Sequence, residues 1–186
     1  MINIIILVTK SLQMELHGNG FTLRGWKKGD EISLQKHADN TNISRYLLDR
    51  FPSPYTMVDA IWWVERLIDQ PEPLLNFAIT INDEVIGGIG LEPREDVYRK
   101  TALLGYWLSE ELWGKGTITE AVKLVTAYAF EKLDIIRIQA GVLSKNPASM
   151  RVLEKAGYVK EGISRNAVIK NGEVMDEHVY AVLKKG

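Results

Sequence analysis

The chain has 186 residues, 46% of them apolar, which suits one globular domain with a full core. Its 23 basic and 24 acidic residues leave a net charge of -1, which excludes a general attraction to nucleic acid or anionic lipid. Cysteine is absent, so disulfides, thiol nucleophiles and cysteine-ligated zinc are excluded, and the scattered His17, His37 and His178 have no metal-ligand spacing.

In chain order, Ile2 and the apolar run Ile4–Val8 are too short to cross a bilayer and lack a basic leader and a small-residue cleavage site. Residues 1–13 therefore read as an accessory strand or extension, and the protein as cytoplasmic. Phe21–Trp26 alternates apolar and polar, as a half-buried strand does. Asp30 is expected to cap a short helix to Ala38, and Ile43–Leu48 reads as a second helical stretch. After the proline turn at 51–55, Thr56 and Asp59 form a cap-like pair before a helix with Met57, Ile61, Val64 and Ile68 as its apolar positions.

Leu75–Ile81 and Val85–Leu91 read as strands joined by a tight turn at Asn82-Asp83. Ala102–Leu108 is a third strand. Thr117–Leu133 is the clearest helix, with Ile118, Ala121, Val122, Val125, Ala129 and Leu133 on one face. Arg137–Val142 is a strand. A helix over Pro147–Ala156 follows, with Asn146 as N-cap, Pro147 at its first position and Gly157 as its stop. Tyr158–Ile163 and Val174–Leu183 are strands joined around Asn171-Gly172. The strand–helix–strand unit at 102–142 predicts parallel neighbours in a mixed α/β sheet, in one domain spanning 1–186.

The sharpest local signal is Trp113-Gly114-Lys115-Gly116-Thr117-Ile118-Thr119-Glu120, which follows a strand and opens a helix. Two glycines allow close backbone approach, the helix N-terminus offers unpaired N–H donors, and Lys115 adds a positive charge. Such a turn suits a phosphate or pyrophosphate; it also suits a plain connector in which Thr117 and Glu120 form a capping box. It is neither a Walker loop nor a dinucleotide fingerprint.

Four stretches together resemble the GNAT N-acetyltransferase superfamily, in particular the branch with the ribosomal-protein N-acetyltransferases. They are Gly105–Leu108 with Trp113–Gly116 and Thr119–Ala121; Asn146–Ser149 with Glu154–Tyr158; Phe51–Thr56 with Asp59-Ala60; and Asn171-Gly172 with Asp176–Tyr180. The likeness runs over roughly residues 20–184. It implies a mixed central sheet, flanked by helices, with a V-shaped splay between two parallel strands. The implied reaction moves acetyl from acetyl-CoA to a primary amine of a small molecule or a peptide N-terminus by direct attack. A non-catalytic acyl-CoA-binding regulator is the alternative.

By the same resemblance, the co-substrate is held at Trp107, Leu108, Gly114, Lys115, Gly116, Thr117, Ile118, Thr119, Asn146 and Ser149. Ser149 would protonate or hydrogen-bond the departing CoA thiolate, and Asn146 would contact the pantetheine. As plain structure, Asn146 is a helix cap, Ser149 a helix serine, and at least one of Tyr106 and Trp107 core. Glu92 is a candidate base; Asp176, His178 or a water chain are others. Acceptor-pocket candidates are Arg45, Tyr46, Phe51, Tyr55, Trp62, Trp63, Arg165 and Asn166. No metal, nucleic acid or membrane is implied, and a homodimer is admitted. The chain departs from the family pattern at Ile118, where a small residue is usual, at Leu103, where an acid is often found, and at Leu153, in place of a tyrosine used as general acid.

Overall fold

The computed structural model describes residues 14–185. The reading of residues 1–13 as strand or extension lies outside them. An eight-stranded mixed sheet, in the order β1-β2-β3-β4-β5-β6-β8-β7, forms the centre. Its first four strands are β1 (Glu15–Gly18), β2 (Phe21–Arg24), β3 (Asn76–Ile81) and β4 (Glu84–Pro93); the others are β5 (Thr101–Leu108), β6 (Arg137–Leu143), β7 (Val159–Lys170) and β8 (Glu173–Leu183). Strand β1 was not anticipated; its half-exposed pattern has few apolar residues to betray it.

All neighbours are antiparallel except β5 and β6, which are parallel and joined through helix α4 (Thr117–Lys132), as the chain order predicts. The Asn82-Asp83 turn has both residues at positive φ, 48° and 68°, which matches the twist of the strands it joins. Strand β7 runs on to Lys170, past the predicted end at Ile163, through pairing irregularities at Lys160/Gly162 and Ser164/Val168.

Two cores lie on opposite faces of the sheet. Ala121, Val122, Val125 and Ala129 of α4 pack on Ala102, Leu104, Ile138 and Ala140, with Leu153 of α5 (Pro147–Lys155) in the same cluster. The other face carries α1 (Asp30–Ala38) and α3 (Met57–Leu67), which pack around Trp26, Leu34, Ala60 and Val64.

Three local expectations are corrected. Asp30 does not cap α1: Gly29 takes the cap position, and Asp30 is turned inward to receive two 2.8 Å bonds from buried Arg24. The stretch after residue 40 is one helical turn, α2 (Thr41–Ser44), capped by Asn40, and not a helix over Ile43–Leu48. On α3 the Thr56/Asp59 capping box forms, but only Val64 of the four predicted apolar positions is buried. Met57, Ile61 and Ile68 are exposed, because the helix docks through Ala60, Val64 and Leu67 one turn apart.

Candidate functional site

The site begins where β5 and β6 part. Their pairing covers only Thr101–Leu103 with Arg137–Gln139. Beyond it β5 continues to Leu108, held by β4 on its other side, and β6 continues to Leu143, held by β8. The bank from Leu104 to Leu108 and the bank from Ala140 to Leu143 thus face each other without strand partners across a V-shaped gap. Gly105 stands on this bank with no atom within 4 Å of where a side chain would begin.

At the wide end of the gap, Trp113 donates its indole N–H to the Leu108 carbonyl at 2.8 Å and folds the turn back onto β5. Gly114 and Gly116 follow at φ 76° and 88°, with open space where a Cβ would stand. Gly116 is the N-cap of α4 and supplies no side chain, so the Thr117–Glu120 capping box does not form. Glu120 instead accepts from the Asn19 N–H at 3.0 Å. Among the described residues, the first α4 N–H with a backbone acceptor is that of Glu120, leaving the N–H groups of Thr117, Ile118 and Thr119 free for an outside anion. Lys115 is exposed beside them. Ile118 packs against the core of the α4 face, so its bulk is directed at least partly inward.

The other wall comes from α5. Asn146 caps it as expected, accepting the Ser149 N–H at 3.1 Å. Ser149 Oγ lies 2.8 Å from the Tyr106 hydroxyl, so a side chain on each side of the gap meets its partner. Burial pushes the Tyr106 phenol well above its ordinary range, more than the Ser149 contact lowers it, so the phenol keeps its proton. From the sequence at least one of Tyr106 and Trp107 is core, with neither singled out; only the fold, which brings residue 149 to residue 106, exposes the pair. Leu153 is fully buried core.

Trp107 and Leu108 have different surroundings. Leu108 is buried on the α4 face, and the Trp107 indole lies across β4 on the α3 face, where a Cβ on Gly88 would come within 2.8 Å of its Nε1. Phe51 meets the Trp107 ring edge at 5.8 Å, and Tyr55 meets Phe51 at 4.8 Å. Of the acceptor-pocket candidates, Tyr55 is buried and Trp63 half-buried in the α1–α3 core, while Trp62 is exposed. Arg165 and the Asn166 N–H both bind Asp176, at 2.6 and 2.9 Å, which occupies that candidate base. Glu92 is exposed and bound to Arg50 at 3.0 Å. His178 has a buried Nδ1 without a partner among the described residues. Lys170, at the end of β7, is buried and reaches Asp49 at 2.7 Å, tying the loop before α3 to the last hairpin.

Among the described residues no group of histidines and acids could hold a metal ion, and no helix is long and apolar enough to cross a membrane.

The acetyltransferase (GNAT) domain family model matches residues 21–159. Over 119 residues the chain is 44% identical to a Bacillus subtilis (strain 168) protein named as a probable N-acetyltransferase, YjcK, covering 64% of this chain and 66% of that one. It is 31% identical over 105 residues to the ribosomal-protein-serine acetyltransferase of Escherichia coli (strain K12), covering 56% of this chain and 58% of that one. The chain thus matches somewhat under two thirds of the length of each of these relatives. A ribosomal L7/L12 alpha-N-protein acetyltransferase in complex with coenzyme A has the same fold, with a TM-score of 0.76 at 22% identity over 89% of this chain and 95% of that one. The matched span from Phe21 to Val159 takes in both banks of the gap, the turn at its end and all of α5, and the chain belongs to the GNAT acetyltransferase family.

Proposed function

We propose that the protein transfers acetyl from acetyl-CoA to a primary amine, that of a small molecule or of a peptide N-terminus, by direct attack. The observation that carries this reading is the β5–β6 gap closed at one end by three residue pairs and flanked at the other by the start of α4, which has no side-chain cap. Membership of the GNAT family adds the chemistry.

On this reading the pyrophosphate of acetyl-CoA sits against the backbone of Gly114 to Thr119, where N–H donors and the helix dipole favour an anion and Lys115 adds charge. The pantetheine arm lies along Trp107 and Leu108 and pairs with free backbone groups, as an added strand would. Asn146, besides capping α5, lines the same passage. Backbone N–H groups on the β5 bank stabilise negative charge on the thioester oxygen as the amine adds. Ser149, backed by a tyrosine that stays protonated, gives the CoA sulfur its proton as the C–S bond breaks. An α-amine, with a reference pKa of about 8, is partly neutral at working pH and requires only a modest base. Glu92 reaches the substrate as that base only by releasing Arg50.

The test is release of free CoA from acetyl-CoA in the presence of free amines, tripeptides with open N-termini, and lysine peptides blocked at the N-terminus. Turnover with free amines or open tripeptides is expected. Preference for the blocked lysine peptides overturns the α-amine reading, and no release with any amine overturns the enzymatic one.

A further inference from the structure

The gap has two faces, and they differ. The α4 face carries Tyr106, Ser149 and the helix that opens at Gly116. The opposite face carries Gly105 and Trp107 on the β5 bank and Gly141 and Leu143 on the β6 bank, since side chains alternate along a strand. The register β6–β8 sets Glu177 opposite Leu143, on this second face, while His178 sits opposite Val142 on the first.

Glu177 does not point away from the gap. Its side chain leans along the sheet over Gly141: a Cβ at that position would lie 2.7 Å from Glu177 Cδ and collide with Oε1. Gly141 stands two residues beyond the last β5–β6 pair, so the carboxylate hangs above the β6 bank of the opening itself. Among the described residues it makes no hydrogen bond and no ion pair, although it is half-buried. The carboxylates nearest in role are already engaged, Glu92 by Arg50 on the same face and Asp176 by Arg165 on the other. A half-buried carboxylate without a cation, on the same face of the sheet as Trp107 and Phe51 and across the gap from them, matches a ligand that brings an ammonium group and an apolar flank.

We infer that Glu177 receives the acceptor amine on the face opposite α4, binding its ammonium form and taking the proton that must leave before attack; this rests on the acetyltransferase reading above. The ammonium gives one proton to the Glu177 carboxylate, and its freed electron pair forms the C–N bond to the thioester carbonyl carbon. As the C–S bond breaks, the CoA sulfur takes the Ser149 hydroxyl proton, and the second proton lost by the nitrogen passes through water to restore that hydroxyl. The proton on Glu177 passes to water when the amide leaves. Gly141 is the positioning residue, because the missing side chain is what lets the carboxylate lie over the opening.

The experiment uses the full chain, acetyl-CoA, and the amine of the panel above that the wild type turns over fastest. Three variants are compared: Glu177→Gln, Glu177→Asp and Gly141→Ala, the last displacing the carboxylate while leaving it charged. Glu177→Gln is expected to lower kcat/KM for the amine by about tenfold to a hundredfold, as loss of a charge-assisted contact does. Acetyl-CoA affinity by calorimetry should stay within about twofold. Glu177→Asp should recover part of the loss, and Gly141→Ala should reproduce most of it. A Gln variant as fast as the wild type overturns the assignment while leaving the acetyltransferase reading intact. Equal losses in acetyl-CoA affinity and amine turnover overturn it too, because they mean a general disturbance of the gap. A wild type that releases no CoA with any amine overturns both.

Discussion

Two hydroxyls and one missing side chain decide much of the chemistry proposed for the gap. Ser149 and Tyr106 lie 43 positions apart and share one 2.8 Å bond, and the buried phenol holds its proton because burial disfavours the phenolate. If the pair acts as one donor to the CoA sulfur, the effects of removing its members are not additive. Ser149→Ala is expected to lower kcat by at least about tenfold with acetyl-CoA affinity unchanged, since a leaving-group contact acts mainly in the transition state. Tyr106→Phe alone should cost about tenfold, near the worth of one hydrogen bond. In the Ser149→Ala background Tyr106→Phe should cost little more. A full second loss in the double variant, measured by single-turnover kinetics, would separate the two residues and return Tyr106 to plain packing.

The start of α4 is where local sequence and site coincide most closely. Gly116 has φ 88°, and nothing stands within 4 Å of its absent Cβ, so the reason for glycine is backbone conformation plus access, not crowding inside the protein. Gly116→Ala should cost about 1–2 kcal/mol through the left-handed backbone. A shift of this size lowers Tm by a few degrees in a chain of this length. Its affinity for acetyl-CoA should fall further than that strain explains. Gly172, at φ 77° in the β7–β8 turn and also in open space, is the matched control: Gly172→Ala should show a comparable Tm loss and unchanged acetyl-CoA affinity. Equal affinity in the two variants, by calorimetry, would reduce the α4 turn to a connector. This turn, the helix behind it and the Asn146 cap were legible in the sequence because each depends on residues within one or two helical turns. The α3 stripe was misread for a related reason: Met57, Ile61 and Ile68 are apolar, but the side that docks is chosen by Trp26 and α1, which come from elsewhere in the chain. Likewise Asp30 has the right residue type for a cap and is drawn inward by Arg24, six residues earlier and on a different element.

Nothing local marks the place where two parallel strands separate. The strand–helix–strand order gave β5 and β6 as neighbours, but the splay after Leu103 and Gln139 came only from the family resemblance, and Glu177 over Gly141 came from neither. The side proposed to receive the amine is similarly assembled from distant parts: the loop before α3 brings Phe51 to Trp107, and the hairpin of β7 and β8 brings Glu177. One contact ties these parts, the ion pair of buried Lys170 with exposed Asp49, 121 positions apart. Its energetic balance is asymmetric, since the lysine has lost most of its water while the aspartate has kept its own. Removing Asp49 leaves a buried ammonium unpaired, whereas Lys170→Met keeps the apolar stem and discards the charge. Asp49→Ala is therefore expected to lower Tm more than Lys170→Met does. Both should raise KM for the amine by several-fold, because both free the loop that carries Phe51, and both should leave acetyl-CoA affinity unchanged, because that half of the site is built from β5, α4 and α5. An unchanged amine KM in both variants would show that the loop keeps its position without the tie; a parallel loss of acetyl-CoA affinity would show that the two halves of the site are not separately built.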